Sequence, residues 1–211
     1  MSQRVLDRLT KELGDAIVET HAQFGDETAV VEPARWKEVA TFLRDDRRLA
    51  FDHFIDLTAV DYHQRRTPRY EVVLHVRSTE RLHRVRLKAR VHAEGDANPT
   101  IDSLCDVWRG ANWFEREVYD MFGVEFIGHP DLRRILMYEE FEGHPLRKDY
   151  PTQRTQPLIP YREGVNNEKL PPFDKWEGMP FGRQEHDRHP TGARREVDGE
   201  DGRNILGFES E

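Results

Sequence analysis

Residues 70–91, YEVVLHVRSTERLHRVRLKARV, alternate in character over most of their length. Tyr70–Arg77 and Leu82–Val91 read as the two arms of a hairpin turning at Ser78–Arg81. In the second arm Val85, Leu87, Ala89 and Val91 point to one side, while Arg84, Arg86, Lys88 and Arg90 point to the other. A strand with one apolar side must cover that side with a second layer, so helices are expected on one face of an antiparallel sheet. The cationic strip has two readings, a site for an anionic partner or the wet face of the sheet. No aromatic residues interleave with the cations, which argues against single-stranded nucleic acid.

Upstream, residues 52–62 (DHFIDLTAVDY) alternate as a further strand with one buried side, followed by a polar loop at 64–69. Pro33 opens a helix with Trp36, Val39, Ala40 and Leu43 on one side, and Arg44–Arg48 reads as its solvated face of mixed sign. Residues 15–24 and 28–32 read as strands around Gly25-Asp26. Val5, Leu6, Leu9 and Leu13 recur at helical spacing before Gly14, giving a short first helix. Downstream, the longest helical pattern starts after Thr100, a suitable N-cap. Ile101, Leu104, Trp108, Ala111, Phe114 or Glu115, Val118 and Phe122 trace its core side, with a bend or break near Gly110. Gly123 is a suitable residue to end it. Cys105 lies beside the apolar stripe and reads as a small core residue. The sum is an α+β domain over residues 1–150, with a mostly antiparallel sheet and packed helices.

Residues 113–151, WFEREVYDMFGVEFIGHPDLRRILMYEEFEGHPLRKDYP, are the most constrained part of the chain. The phrase F-x-G-H-P occurs at Phe126–Pro130 and again fifteen positions on, at Phe141–Pro145. Each copy leads into a leucine and two cations, Leu132-Arg133-Arg134 and Leu146-Arg147-Lys148. Gly123, Gly128, His129, Pro130, Gly143, His144 and Pro145 are expected to shape the loops, because glycine admits backbone angles closed to other residues and proline restricts its neighbour. Glu115, Arg116, Glu117 and Asp120 lie just upstream, with Arg116 and Asp120 one helical turn apart. Charge at this density among apolar residues reads as ion pairing at a protein–protein surface; the simpler reading is a structural corner of the domain.

The runs E-R-E-V-Y-D-M-F-G, G-H-P-D-L-R-R-I-L and G-H-P-L-R-K-D-Y-P resemble the signature block of the C subunit of bacterial NADH:quinone oxidoreductase, respiratory complex I, whose mitochondrial counterpart is the thirty-kilodalton subunit. Glu140-Phe141 stands where the family has an Asp-aromatic pair and keeps its chemical type. The resemblance implies a non-catalytic assembly subunit of the peripheral arm. FMN, iron–sulfur clusters and quinone would sit in partner subunits, and none in this chain. It implies contacts with the D subunit chiefly, and with B and I, on the cytoplasmic side of the bacterial inner membrane. The contacts are expected to run through Glu115, Arg116, Glu117, Asp120, Arg133, Arg134, Arg147, Lys148 and Asp149. Arg134→Ala or Asp120→Ala is then expected to leave the domain folded and to impair assembly. Two rivals are the equivalent subunit of a membrane-bound hydrogenase or of an F420 or plastoquinone-type dehydrogenase, and a free-standing metalloenzyme built on the histidine loops.

Composition narrows the classes. A chain of 211 residues with net charge −8 is not built primarily for nucleic acid. Its one cysteine cannot form an internal disulfide or an all-cysteine cluster. No run is long and apolar enough for a membrane span, and the charged first residues do not form a signal peptide. No H-E-x-x-H, G-x-S-x-G, Walker or G-x-G-x-x-G motif occurs. His129 and His144, with Asp131, Glu142 and Asp149 nearby, lack metal-ligand spacing, as does His186-Asp187-Arg188-His189. From Pro151 to Glu211 the chain carries seven of its 12 prolines, at 151, 157, 160, 171, 172, 180 and 190, and no sustained period. This stretch is expected to run extended along partner subunits, with Phe173 and Trp176 as anchors.

Overall fold

A computed structural model describes residues 3–93 and 98–157. Helix α1 (Gln3–Leu13) precedes a hairpin of β1 (Ile17–His21) and β2 (Thr28–Val31). Its turn holds Phe24 and Gly25 at φ of 58° and 79°. Helix α2 (Trp36–Asp45) then carries the chain across the sheet to β3 (His53–Asp61), β4 (Tyr70–Arg77) and β5 (Arg84–Val91). The strands lie in the order β1-β2-β5-β4-β3. Within this five-stranded sheet β2–β5 is parallel, and β1–β2, β3–β4 and β4–β5 are antiparallel. The expected α+β class, with a mostly antiparallel sheet and packed helices, is the observed one.

The apolar side of each strand forms a single core with the helices. Leu57 and Ala59 of β3, Val72, Leu74 and Val76 of β4 and Val85, Leu87, Ala89 and Val91 of β5 meet Val5, Leu6 and Leu9 of α1 and Trp36, Val39, Ala40 and Leu43 of α2. Burying a side chain of this size contributes roughly 1.5–3 kcal/mol. On the opposite side of β5 the cations are matched by the chain's own carboxylates. Arg84 and Arg86 pair with Asp26, Lys88 with the buried Glu71, and Arg90 with Glu19. This side is a laced polar sheet face, less open than the wet face expected.

Two local readings need correction. Residues 100–110 are not helical: β6 (Thr100–Asp102) pairs in parallel with β7 (Glu125–Ile127), turns follow, and α3 begins only at Ala111, running to Phe122. Ile101, Leu104 and Trp108 are buried as expected, but from a strand and its turns. Thr100 is therefore no N-cap; Gly110 holds that position. Arg44–Arg48 is also not one solvated face. The helix ends at Asp45, and Asp46 folds back to pair with Arg8 of α1, while Arg44 donates to the carbonyls of Asp106 and Val107. Beyond the signature block, Glu142 N–H donates to the Gln156 side chain, and Tyr138 Oη–H to Pro157 O. Residues 158–211, with most of the expected tail and its anchors, lie outside the described residues.

Candidate docking surface around the third helix

Helix α3 buries two carboxylates on different sides: Glu115 lies with Ala111 and Val118, while Asp120, five residues on, points about 140° away from it. Glu115 Oε1 accepts the Leu104 N–H at 2.6 Å, and Oε2 accepts the Ser103 hydroxyl at 2.6 Å and the Cys105 thiol at 3.4 Å. These bonds turn the chain between β6 and α3. Burial raises the Glu115 pKa, opposed by the hydrogen bonds from Ser103 and Leu104.

Asp120 is the anchor of the first Gly-His-Pro loop. Its Oδ1 accepts Arg134 Nη1 at 2.7 Å, and Oδ2 accepts the successive N–H groups of Ile135, Leu136 and Met137 at 3.1, 2.8 and 2.8 Å. Burial alone would raise its pKa, but the N–H groups and Arg134 outweigh burial and hold it below the ordinary carboxylate value. Arg134 then donates to the Phe141 and Gly143 carbonyls at 2.8 and 3.0 Å, so one guanidinium joins both loops to the helix. Arg116 does not pair with Asp120. It donates to the carbonyls of Arg133 and Arg134 at 3.1 and 3.0 Å.

The two histidines latch the loops to α3 at different points. His129 Nε2–H donates to Asn112 O at 3.1 Å, with Nδ1 accepting Asp131 N–H; His144 Nδ1–H donates to Asp120 O at 3.0 Å. Their anchor points are eight residues apart, about 12 Å along the helix. Burial lowers the His144 pKa. At the helix end Gly123 takes φ 75°, and a Cβ there would collide with Arg147 and His144. Arg147 caps the last turn through Phe122 O at 2.6 Å and reaches Asn98 Oδ1 at 2.8 Å. Gly128 and Gly143 also take positive φ, 83° and 89°.

The second loop is clamped to the sheet at Asp61. This buried carboxylate accepts Arg69 through both oxygens at 2.7 Å, Lys148 N–H at 2.8 Å and His63 N–H at 2.7 Å. Burial opposes ionisation, but these donors prevail and hold its pKa at about 2. Arg69 also reaches Asp149 at 2.8 Å, lowering that carboxylate too.

Most of the residues expected at an interface therefore serve the chain's own loops. Glu115 and Asp120 are fully enclosed by the chain itself; Arg134, Arg147 and Arg116 are hydrogen-bonded within it. Glu117, Arg133, Lys148 and Asp149 are exposed. Beside these charges the same block also presents large apolar side chains outward: Trp113, Ile127, Leu136 and Leu146 are 67%, 59%, 57% and 50% exposed. Trp113 and Glu117 share one side of α3. Leu136 N–H bonds Asp120, Leu146 N–H bonds Met121 O, and Ile127 precedes the His129 latch, so all four border the helix. The signal was present in the sequence: Trp113 falls off the buried stripe of its helix, where an aromatic has no core to fill.

His129 does not meet His144; it lies with Cys105 and Glu115, their ligand-type atoms within 4.8 Å of one another. Both ring nitrogens of His129 and both Glu115 oxygens are already bonded within the chain, and burial pushes the Cys105 thiol up to about 11. The arrangement is accounted for as a hydrogen-bonded corner. No helix among the described residues is long and apolar enough to cross a membrane.

Residues 29–156 match the family described as respiratory-chain NADH dehydrogenase, 30 Kd subunit. The chain is 48% identical over 147 residues to the NADH-quinone oxidoreductase C subunit of Roseiflexus castenholzii, covering 70% of this chain and 82% of that one. It is 45% identical over 186 residues to the C subunit of Methylobacterium radiotolerans, covering 83% and 84%. Among solved structures, a trypsin-resistant fragment of Nqo5 superposes with a TM-score of 0.51 at 27% identity, covering 62% of this chain and 98% of the fragment. A chain of the archaeal membrane-bound sulfane sulfur reductase shares the fold, with a TM-score of 0.61 at 19% identity over 72% of this chain and 86% of its own. With its doubled loops latched to α3, the chain belongs to the 30 Kd subunit family of respiratory-chain NADH dehydrogenase, the C-subunit family of complex I.

Proposed function

We infer that this subunit carries out no reaction itself and works as a docking platform in the peripheral arm of NADH-quinone oxidoreductase. The observation that carries the reading is the inversion around α3: the buried charges fix the loops, and large apolar side chains are left exposed beside them. Exposed Trp and Leu flanked by Glu117, Arg133 and Lys148 match the apolar centre and polar rim of a protein interface. The partners fitting the family are the D subunit first, then B and I, at the cytoplasmic face of the inner membrane. FMN, the iron–sulfur clusters and quinone would be held by those and other subunits. The single cysteine supports that assignment for clusters, since an all-cysteine site needs several thiolates.

The test is a Trp113→Glu, Leu136→Glu double variant expressed within the whole complex. Recovery of the intact arm and NADH-to-quinone turnover should fall together, at least tenfold for a lost aromatic hot spot. Unchanged yield and turnover would reject the surface. Turnover of any substrate by the purified chain alone would reject the non-catalytic reading.

A further inference from the structure

Away from α3, three separate parts of the chain converge on a cavity of about 360 Å³. Arg4, Val5 and Arg8 come from α1, Arg48 and Leu49 from the turn after α2, and Arg81 and His83 from the turn between β4 and β5. Four guanidinium groups and no carboxylate line it, in a chain of net charge −8. Val5 and Leu49 are buried and form an apolar floor.

Compensation of these cations is incomplete. Arg8 is paired with Asp46 and Glu12, and Arg81 with Glu80 and the Arg47 carbonyl. Arg4 and Arg48 form no ion pair among the described residues. His83 Nε2 is spent on Leu49 O at 3.0 Å, and its ring packs on Phe51, so it serves as a wall that fixes the turn carrying Arg81. Gathering guanidinium groups around one concavity leaves mutual repulsion that a bound anion relieves. Planar forks of this kind match the oxygens of a phosphate group, and the volume is that of a small-ligand site.

We propose that this cavity binds a phosphate-bearing anion, with Arg4 and Arg48 as its principal ligands and Arg8 and Arg81 as supporting ones. Two sources offer that chemistry, a soluble phosphate compound and an anionic phospholipid headgroup. A concavity with an aliphatic floor suits such a group better than the side chains of an acidic protein segment.

The full-length chain is titrated with pyrophosphate by calorimetry and thermal shift, and floated with vesicles of phosphatidylcholine alone or mixed with phosphatidylglycerol. Saturable pyrophosphate binding with a rise in Tm, weakened about tenfold or more by Arg4→Ala and by Arg48→Ala, supports the site. Arg48→Lys should also weaken it, because the charge remains but the fork is lost. Pyrophosphate binding without flotation identifies a soluble source; phosphatidylglycerol-dependent flotation lost in Arg48→Ala identifies a headgroup. Arg84→Ala, on the far face of β5, is the control for general charge. No binding of either probe, an equal loss in Arg84→Ala, or binding of oligoglutamate alone would overturn the proposal.

Discussion

Glu115 and Asp120 lie on one helix, both fully buried, yet their surroundings push them in opposite directions. Glu115 is met by two neutral donors and a thiol, so burial prevails. Asp120 is met by three aligned N–H groups and a guanidinium, so ionisation prevails. Asp120→Asn strands Arg134 and turns an amine toward donors, and is expected to cost about 3–5 kcal/mol of stability. Glu115→Gln keeps one acceptor and loses no charge partner, and is expected to cost only about 1–3 kcal/mol. Denaturant unfolding of the two variants gives the order directly, and equal costs would refute the distinction. The same geometry predicts that Asp120→Ala also destabilises the domain, against the expectation that it leaves the domain intact. These roles were not legible beforehand, because both carboxylates are satisfied by groups that reach them only after the chain has folded back on α3.

Elements with one-sided patterns were legible, and elements defined by distant partners were not. The alternation at 84–91 specified β5, and the stripe of Trp36, Val39, Ala40 and Leu43 specified α2, since each signal is complete within its own segment. The spacing of Ile101, Leu104 and Trp108 imitated a helix, but β7 pairs with β6 and Glu115 holds the turn after it, both from further along the chain. Gly123 was legible as a helix stop, whereas the side chains that pack on it arrive from more than twenty residues away. Gly128→Ala meets open space and carries only the left-handed penalty, about 1–2 kcal/mol. Gly123→Ala adds a collision with Arg147 and His144, for about 2–5 kcal/mol in all. Thermal unfolding should separate them; a Gly123→Ala variant no worse than Gly128→Ala would mean that Arg147 does not cap α3. The sheet-to-loop clamp has its own signature in pH. Asp61 ionises at about 2 in the fold against an ordinary 3.8, so its contribution is present above 3.8 and lost as pH falls toward 2. That is about 2 kcal/mol of acid-sensitive stability. Asp61→Asn should flatten this limb of the stability–pH curve, and an unchanged slope between those values would refute the clamp.

At the scale of the molecule, the doubled motif announced its family from sequence, while the surface it presents had to be seen in the fold. Charges drew attention because they are unusual in number, whereas burial sorts them into internal fasteners and leaves Trp113, Ile127, Leu136 and Leu146 outside. A patch of this kind has opposite effects in two settings. In the isolated chain it is a liability, since exposed apolar groups promote self-association. On the docking reading proposed above, it is the contact itself in the assembled arm. Leu136→Glu should therefore leave the isolated chain's unfolding free energy within about 0.5 kcal/mol, as expected for a surface change. Light scattering should show less self-association than in the parent chain, while incorporation into the complex falls. A purely structural Leu136 predicts the reverse pattern: lost stability, more aggregation, and an assembly defect no larger than the loss of folded protein explains. Measuring the three quantities on one variant separates a docking side chain from a packing one, because only docking moves solubility and assembly in opposite directions.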